Sequence, residues 1–324
     1  MSRVKNFDGT EATHEPKHVA FIGECMIELS RDSEGRIYQD FAGDTLNTAV
    51  YTARLGAPDG HKVSYITAVG DDHFSHEMLL FWQREGIDTT SVTQHTGASP
   101  GLYFIDVDEK GERSFSYWRS ESPAKRRFAS LTKGQICALW EGVDWVYLSG
   151  ISLAILPKHD REKLLDALEA FKRGGGNIAF DNNYRPQLWE SIEEAQEAFI
   201  AALTVSNLAL LTWDDEQLLH GYTTIEELWR SYQTLGVQEW VIKRGSEPCL
   251  LYSQGQWLEV ESSRVSTVVD TTAAGDSFGA GYLASRLSGL PMVQAAVNGH
   301  LVASTVIQHR GAIIDASLVP QLVK

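Results

Sequence analysis

The chain has 324 residues, with 43 acidic and 28 basic side chains and a formal net charge of −15 at pH 7. That excess excludes a phosphate-backbone partner unless a basic stripe is hidden in the fold, and the short cluster Lys125-Arg126-Arg127 reads as a solvated loop, with steering of an acidic substrate as the alternative. No apolar run approaches the roughly 20 residues that cross a bilayer, the polar N-terminus lacks a secretion-signal core, and the scattered Cys25, Cys137 and Cys249 suggest neither disulfides nor a metal site, so a cytoplasmic protein with no membrane partner is expected.

Residues 1–17 read as a disordered tail, and 18–324 read as one α/β domain without linkers or repeats. His18–Gly23 is a β-branched and apolar run that reads as a strand. Ile27–Arg31 and Arg36–Phe41 read as a short strand pair. Asp44–Leu55 carries Leu46, Ala49, Val50 and Ala53 at helical spacing. A strand over Val63–Val69 and a helix around Ser75–Arg84 follow. Gly101–Val107 and Arg113–Arg119 are two strands joined by the turn signal Asp108–Glu112. Strands at Trp145–Leu148, Ile178–Asp181, Leu208–Leu211 and Trp240–Lys243 then alternate with helical segments. The alternation predicts a mostly parallel sheet with helices on both faces. The paired strands near 25–42 and 101–120 predict a small antiparallel sheet projecting from it, suited to be a lid or a dimer surface.

The segment Asp270-Thr271-Thr272-Ala273-Ala274-Gly275-Asp276 runs into an apolar helix. Small residues before a helix let a ligand approach the backbone, and the first-turn N–H groups with the helix dipole attract an anion. Asp276 is placed there to accept a proton from a hydroxyl while those amides hold a transferred phosphate. No G-x-x-x-x-G-K-[ST] loop is present, so the chain is not a P-loop protein. On Arg113–Arg119, strand alternation puts Phe115, Tyr117 and Arg119 on one face, which Tyr103 of the neighbouring strand can share. Rings that cover carbons and a guanidinium that holds oxygens suit a small polar acid.

Asp270–Phe278 resembles the C-terminal signature of the ribokinase-like (PfkB) carbohydrate kinases, and Ala42-Gly43-Asp44-Thr45-Leu46-Asn47 resembles their N-terminal signature. The blocks Gly23–Leu29, Tyr147–Ile155, Asp181–Pro186 and His309–Ile314 are similar to the branch that acts on a keto-deoxy sugar acid. The resemblance spans about His18 to Ala316. It implies a three-layer α/β/α fold with a β-lid, and ATP-dependent phosphorylation, with Mg²⁺, of 2-dehydro-3-deoxy-D-gluconate to its 6-phosphate. Fructose or 2-dehydro-3-deoxygalactonate as acceptor is the alternative, and a non-catalytic sugar-acid sensor is the remaining one.

The resemblance also implies roles. Asp276 is the general base, and Ala273, Ala274 and Gly275 form the anion hole, with Ala273 standing where the family has Gly; a negative φ there would let Ala serve equally. Gly43, Asp44, Asn47, Tyr103, Tyr117, Arg119 and Arg185 contact the acceptor. Asn183, Arg185, Thr212, Lys243, Gly245, Ser246, Cys249 and His300 lie along the nucleotide. Thr212-Trp213-Asp214-Asp215 replaces the family's Asn-x-x-Glu, leaving no direct protein ligand to the metal and Asp215 to order its water. Phe104, Phe115 and Trp118 suggest a homo-oligomer formed through the lid. The charge balance further predicts a locally positive cleft in an acidic surface, since acceptor and nucleotide are both anions.

Overall fold

The computed structural model describes residues 15–31, 34–107 and 113–324. The elements run β1 (His18–Ile22), β2 (Met26–Arg31), β3 (Ile37–Ala42), α1 (Asp44–Gly56), β4 (Lys62–Ile66), β5 (Ala68–Gly70), α2 (His73–Arg84), β6 (Ile87–Asp88), β7 (Thr93–His95), β8 (Leu102–Val107) and β9 (Arg113–Trp118). After them come α3 (Lys133–Ala138), β10 (Trp145–Ser149), α4 (Gly150–Ala154), α5 (Lys158–Arg173), β11 (Asn177–Asp181), α6 (Ile192–Val205), β12 (Leu208–Thr212), α7 (Trp213–His220) and α8 (Ile225–Tyr232). The chain closes with β13 (Glu239–Lys243), β14 (Cys249–Ser253), β15 (Gln256–Val260), α9 (Ala274–Leu287) and α10 (Met292–Val306).

The main sheet has nine strands in the order β15-β14-β13-β12-β11-β10-β1-β4-β6. From β13 to β6 all pairings are parallel, and β14 and β15 extend one edge antiparallel. Parallel strands sandwiched by helices are apolar on both faces, and β1, β10, β11, β12 and β13 are buried almost throughout. One face packs Phe180, Phe199, Tyr232 and Trp240; the other packs Tyr65, Met78, Trp82 and Tyr282. From β1 the chain moves outward to β4 and β6, then returns to β10 on the other side of β1. This reversal makes the carboxyl ends of β1 and β10 a topological switch point, where open α/β sheets place their ligands.

A second sheet of four strands, β3-β2-β8-β9, stands over that end. Its register pairs Glu28 with Tyr103 and Tyr103 with Tyr117. The turn Asp108–Glu112 lies outside the described residues. So do residues 1–14 of the expected tail, whereas Lys17 is not a tail residue: its N–H donates to His61 Nδ1 at 3.0 Å and its carbonyl accepts from Lys62 N at 2.8 Å.

Two local readings are corrected. Val63–Val69 is not one strand: it breaks at Thr67, so that β4 joins the main sheet while β5 pairs with β7. The helix expected from Ser75 begins at His73, because the Asp72 carboxylate caps it by accepting from Phe74 and Ser75 N–H. Leu46, Ala49, Val50 and Ala53 of α1 are buried as expected. Among the described residues no helix is long and apolar enough to cross a membrane.

Candidate active site

A cavity of about 970 Å³ opens between the small sheet and the carboxyl ends of the main strands. The central parallel strands deliver side chains to it: Glu24 after β1, Ile151 after β10, Asn183 and Arg185 after β11, Thr212 at the end of β12 and Asp215 beyond it, and Lys243 at the end of β13. Gly43, Asp44 and Asn47 enter from the N-terminus of α1, and Thr271 to Asp276 from the start of α9. Gly43 is required by close approach, since a Cβ there would lie 2.1 Å from the Glu24 carbonyl oxygen.

At the α9 end, Asn47 Nδ2 donates to Asp276 Oδ2 at 2.8 Å. Burial, followed by the nearby Asp44 carboxylate, pushes the Asp276 carboxyl up to about 7, against the lowering effects of Asn47 and Lys243. Lys243 Nζ bonds Asp181 Oδ2 at 2.7 Å, and Tyr147 OH donates to the same oxygen at 3.2 Å. The ammonium is 3.5 Å from where a side chain at Gly275 would begin, which puts a cation beside the first turn of α9.

The phosphate-loop expectation needs one correction. Ala273 does not meet the condition of a negative φ under which it would serve as well as Gly: it sits at +60° in the left-handed region as the N-cap of α9. A residue with a Cβ pays about 1 kcal/mol there relative to Gly, so this is a position that favours glycine. The Ala274 N–H donates to the Thr271 carbonyl at 3.2 Å. Gly275 and Asp276 then supply first-turn amides at the cavity.

At the other end, Tyr103 and Tyr117 stack with centroids 5.8 Å apart, and Phe115 stacks on Tyr117 at 6.3 Å. All three rings face the cavity. Phe115 is therefore not on the outer face with Phe104 and Trp118, as expected for an oligomer surface; alternation along β9 separates them. Tyr103 OH donates to Glu28 Oε2, and Arg119 Nη2 donates to Glu24 Oε2. Arg185 pairs with Asp215 Oδ1 at 3.4 Å, while Asp215 Oδ2 accepts from Tyr184 N at 3.1 Å. Asn183, at φ +25°, donates from Nδ2 to Asp44 Oδ2 at 3.0 Å, and its buried Oδ1 has no partner among the described residues.

The remaining nucleotide-side residues are not brought to this cavity. Gly245 and Ser246 lie between β13 and β14, where the Ser246 carbonyl accepts from Ser262 Oγ at 2.5 Å. Cys249 is corrected: its side chain is fully buried in the core on β14, and burial pushes its thiol up to about 12, so the thiol does not face a ligand. His300 packs edge-on against Phe278 at 5.0 Å, and burial holds its imidazole below the usual range.

The expected positive cleft is also corrected. Its lining carries Glu24, Asp44, Asp181, Asp215 and Asp276 against Arg119, Arg185 and Lys243. Each cation is already paired with a carboxylate. The missed residues are Glu24 and Asp181, and beneath them Asn182, which bonds Thr212 O at 3.1 Å and Glu216 Oε1 at 3.0 Å. Glu216 is thereby turned inward and does not supply the carboxylate of the family's Asn-x-x-Glu; Asp215 does reach the cavity.

A sequence profile of pfkB family carbohydrate kinases matches residues 16–318. The chain is 48% identical over 307 residues to the 2-dehydro-3-deoxygluconokinase of Dickeya dadantii, covering 94% of this chain and 99% of that protein. It is 47% identical, with the same coverages, to the 2-dehydro-3-deoxygluconokinase of Escherichia coli K12. This chain belongs to the pfkB family of carbohydrate kinases. The fold of this pfkB chain is similar to that of the fructokinase of Xylella fastidiosa with bound ATP, with a TM-score of 0.80, 20% identity, and 95% and 96% of the two chains covered. The pfkB fold is thus the ribokinase-like α/β/α sandwich with a small second sheet.

Proposed function

We propose that this pfkB kinase transfers the γ-phosphoryl group of ATP to the C6 hydroxyl of 2-dehydro-3-deoxy-D-gluconate. The observation that carries the reading is one cavity holding both halves of that chemistry: a carboxylate at a helix N-terminus, and opposite it an aromatic stack beside a guanidinium. Asp276 takes the proton of the acceptor hydroxyl as its oxygen bonds to the γ-phosphorus. The bond from that phosphorus to the bridging oxygen breaks, and ADP leaves with the electron pair. The Gly275 and Asp276 amides and the Lys243 ammonium stabilise charge on the transferred group. Mg²⁺ bound with ATP supplies neutralisation of the phosphate charge. The hard oxygens of Asp215 and Asn183 at the cavity would hold such an ion through water.

On this reading the small sheet is a lid over a cytoplasmic enzyme's cleft. Its outer face leaves Ile37 and Trp118 exposed at 58% and 62%, which supports pairing with a second copy. Arg119 binds the acid group, so Arg119→Ala is expected to raise KM for the acid by about 10- to 100-fold with a much smaller change in kcat. ADP release followed against acid concentration checks this, and an unchanged KM would move the carboxylate contact elsewhere.

A pH effect follows from Asp276. Its carboxyl is held up to about 7, and only the ionised form accepts a proton. The rate constant kcat/KM for the acid is expected to fall about tenfold per pH unit below that value and to level off above it. A profile flat down to pH 5 would exclude Asp276 as the base.

A further inference from the structure

Glu24 follows β1 directly, and its side chain is only 1% exposed. One carboxylate oxygen, Oε2, accepts from Arg119; the other, Oε1, is buried without a partner among the described residues. Glu24 nevertheless lines the acceptor end of the cavity beside Met26, Gly43 and Tyr117. Room at this oxygen depends on Gly101 at the entry to β8, where a Cβ would lie 2.9 Å from Oε1 and 3.0 Å from Arg119 Cβ.

A buried acceptor left without a donor is costly, and native structures rarely tolerate one unless a ligand or water completes it. An ionised carboxylate accepts hydrogen bonds and repels anions. The part of the sugar acid that can complete Glu24 is therefore a hydroxyl, not the acid's own carboxylate. Arg119 has the opposite preference, and Glu24 holds it by Nη2. The pair presents two adjacent, oppositely charged faces to one small molecule.

We infer that Glu24 is a specificity-determining residue: its Oε1 accepts a hydrogen bond from a non-transferred hydroxyl of the sugar acid, at C4 or C5, while Arg119 takes the acid group. This rests on the acceptor reading above and adds to it a reader of hydroxyl position. A site built to bond a hydroxyl rejects the analogue that lacks it far more strongly than an apolar pocket does.

The test compares wild type and Glu24→Gln on three acceptors: the parent acid, its 4-deoxy analogue and its 5-deoxy analogue. ADP release is measured for each, and thermal unfolding and ATP titration check that the variant folds. Glu24→Gln is expected to lower kcat/KM for the parent acid by about 10- to 100-fold, and to have little effect on the one analogue that lacks the partner hydroxyl. A purely structural role costs the same factor on all three acceptors, and that result would overturn the inference. Glu24→Asp, which keeps the charge but withdraws it by one methylene, gives the same comparison if the Gln variant does not fold. If wild type is active on the acid but does not discriminate against either deoxy analogue, Glu24 reads no hydroxyl. If wild type releases no ADP with the acid, the acceptor reading fails first, and this inference falls with it.

Discussion

Asp276→Asn is expected to lower kcat by about 10²–10⁴-fold while leaving ATP affinity unchanged. The substitution is nearly isosteric, and its carbonyl oxygen can still accept the hydrogen bond that Asn47 Nδ2 donates to Asp276 Oδ2 at 2.8 Å. What it removes is the capacity to take a proton. Neither the fold of α9 nor the first-turn amides depend on the carboxylate charge: Ser277 N and Oγ both bond the Ala273 carbonyl, at 2.8 and 2.7 Å, and hold the turn by themselves. ADP release and calorimetric titration with ATP separate the two effects. Near-normal turnover with intact nucleotide binding would remove Asp276 from the reaction.

Lys243→Met is expected to damage both stability and rate. Lys243 and Asp181 are 10% and 5% exposed at their side chains and meet at 2.7 Å. Removing one partner of a buried pair leaves the other charge without compensation, at a cost of about 3–5 kcal/mol. Tyr147 OH, at 3.2 Å, remains the partner of Asp181 but is neutral. The same substitution withdraws the cation beside Gly275 and so weakens stabilisation of the transferred phosphoryl group. Lys243 also lowers the Asp276 carboxyl, so its loss moves the acid limb of the pH profile above 7, not below it. Chemical denaturation, kcat and the pH profile of the variant measure the three effects; wild-type stability together with wild-type kcat would contradict the assignment.

The alternation of strand and helix was legible because parallel strands buried on both faces must be continuously apolar, and Ala20, Val146, Ile178, Ala209 and Val241 are each buried in that way. The second sheet was legible for a different reason: period-two alternation on β9 put Phe115, Tyr117 and Arg119 together, and all three line the cavity. Asp276 was visible because helix capping alone does not require the small triplet Ala273–Gly275 that precedes it.

Pairing was not legible. Glu24 meets Arg119 across 95 positions, and Lys243 meets Asp181 across 62. No periodicity links such partners, so three cations that look free along the chain are each neutralised in the fold. That is why a net positive cleft was expected and one with more carboxylates than cations was found. The φ of Ala273 also escaped, because the residue type gives no sign of the left-handed turn that the helix entry imposes. Cys249 was placed with the nucleotide by its neighbours in sequence, yet β14 runs antiparallel into the core from its first residue.

The central claim is that one cavity joins phosphoryl transfer to recognition of a sugar acid. ADP release by the wild-type chain, with ATP and Mg²⁺ present and 2-dehydro-3-deoxy-D-gluconate, fructose or ribose as acceptor, tests it most directly. The expected result is a kcat/KM for the acid at least about 100-fold above that for either neutral sugar, since a neutral sugar leaves Arg119 without its anionic partner. A preference for fructose or ribose would contradict it.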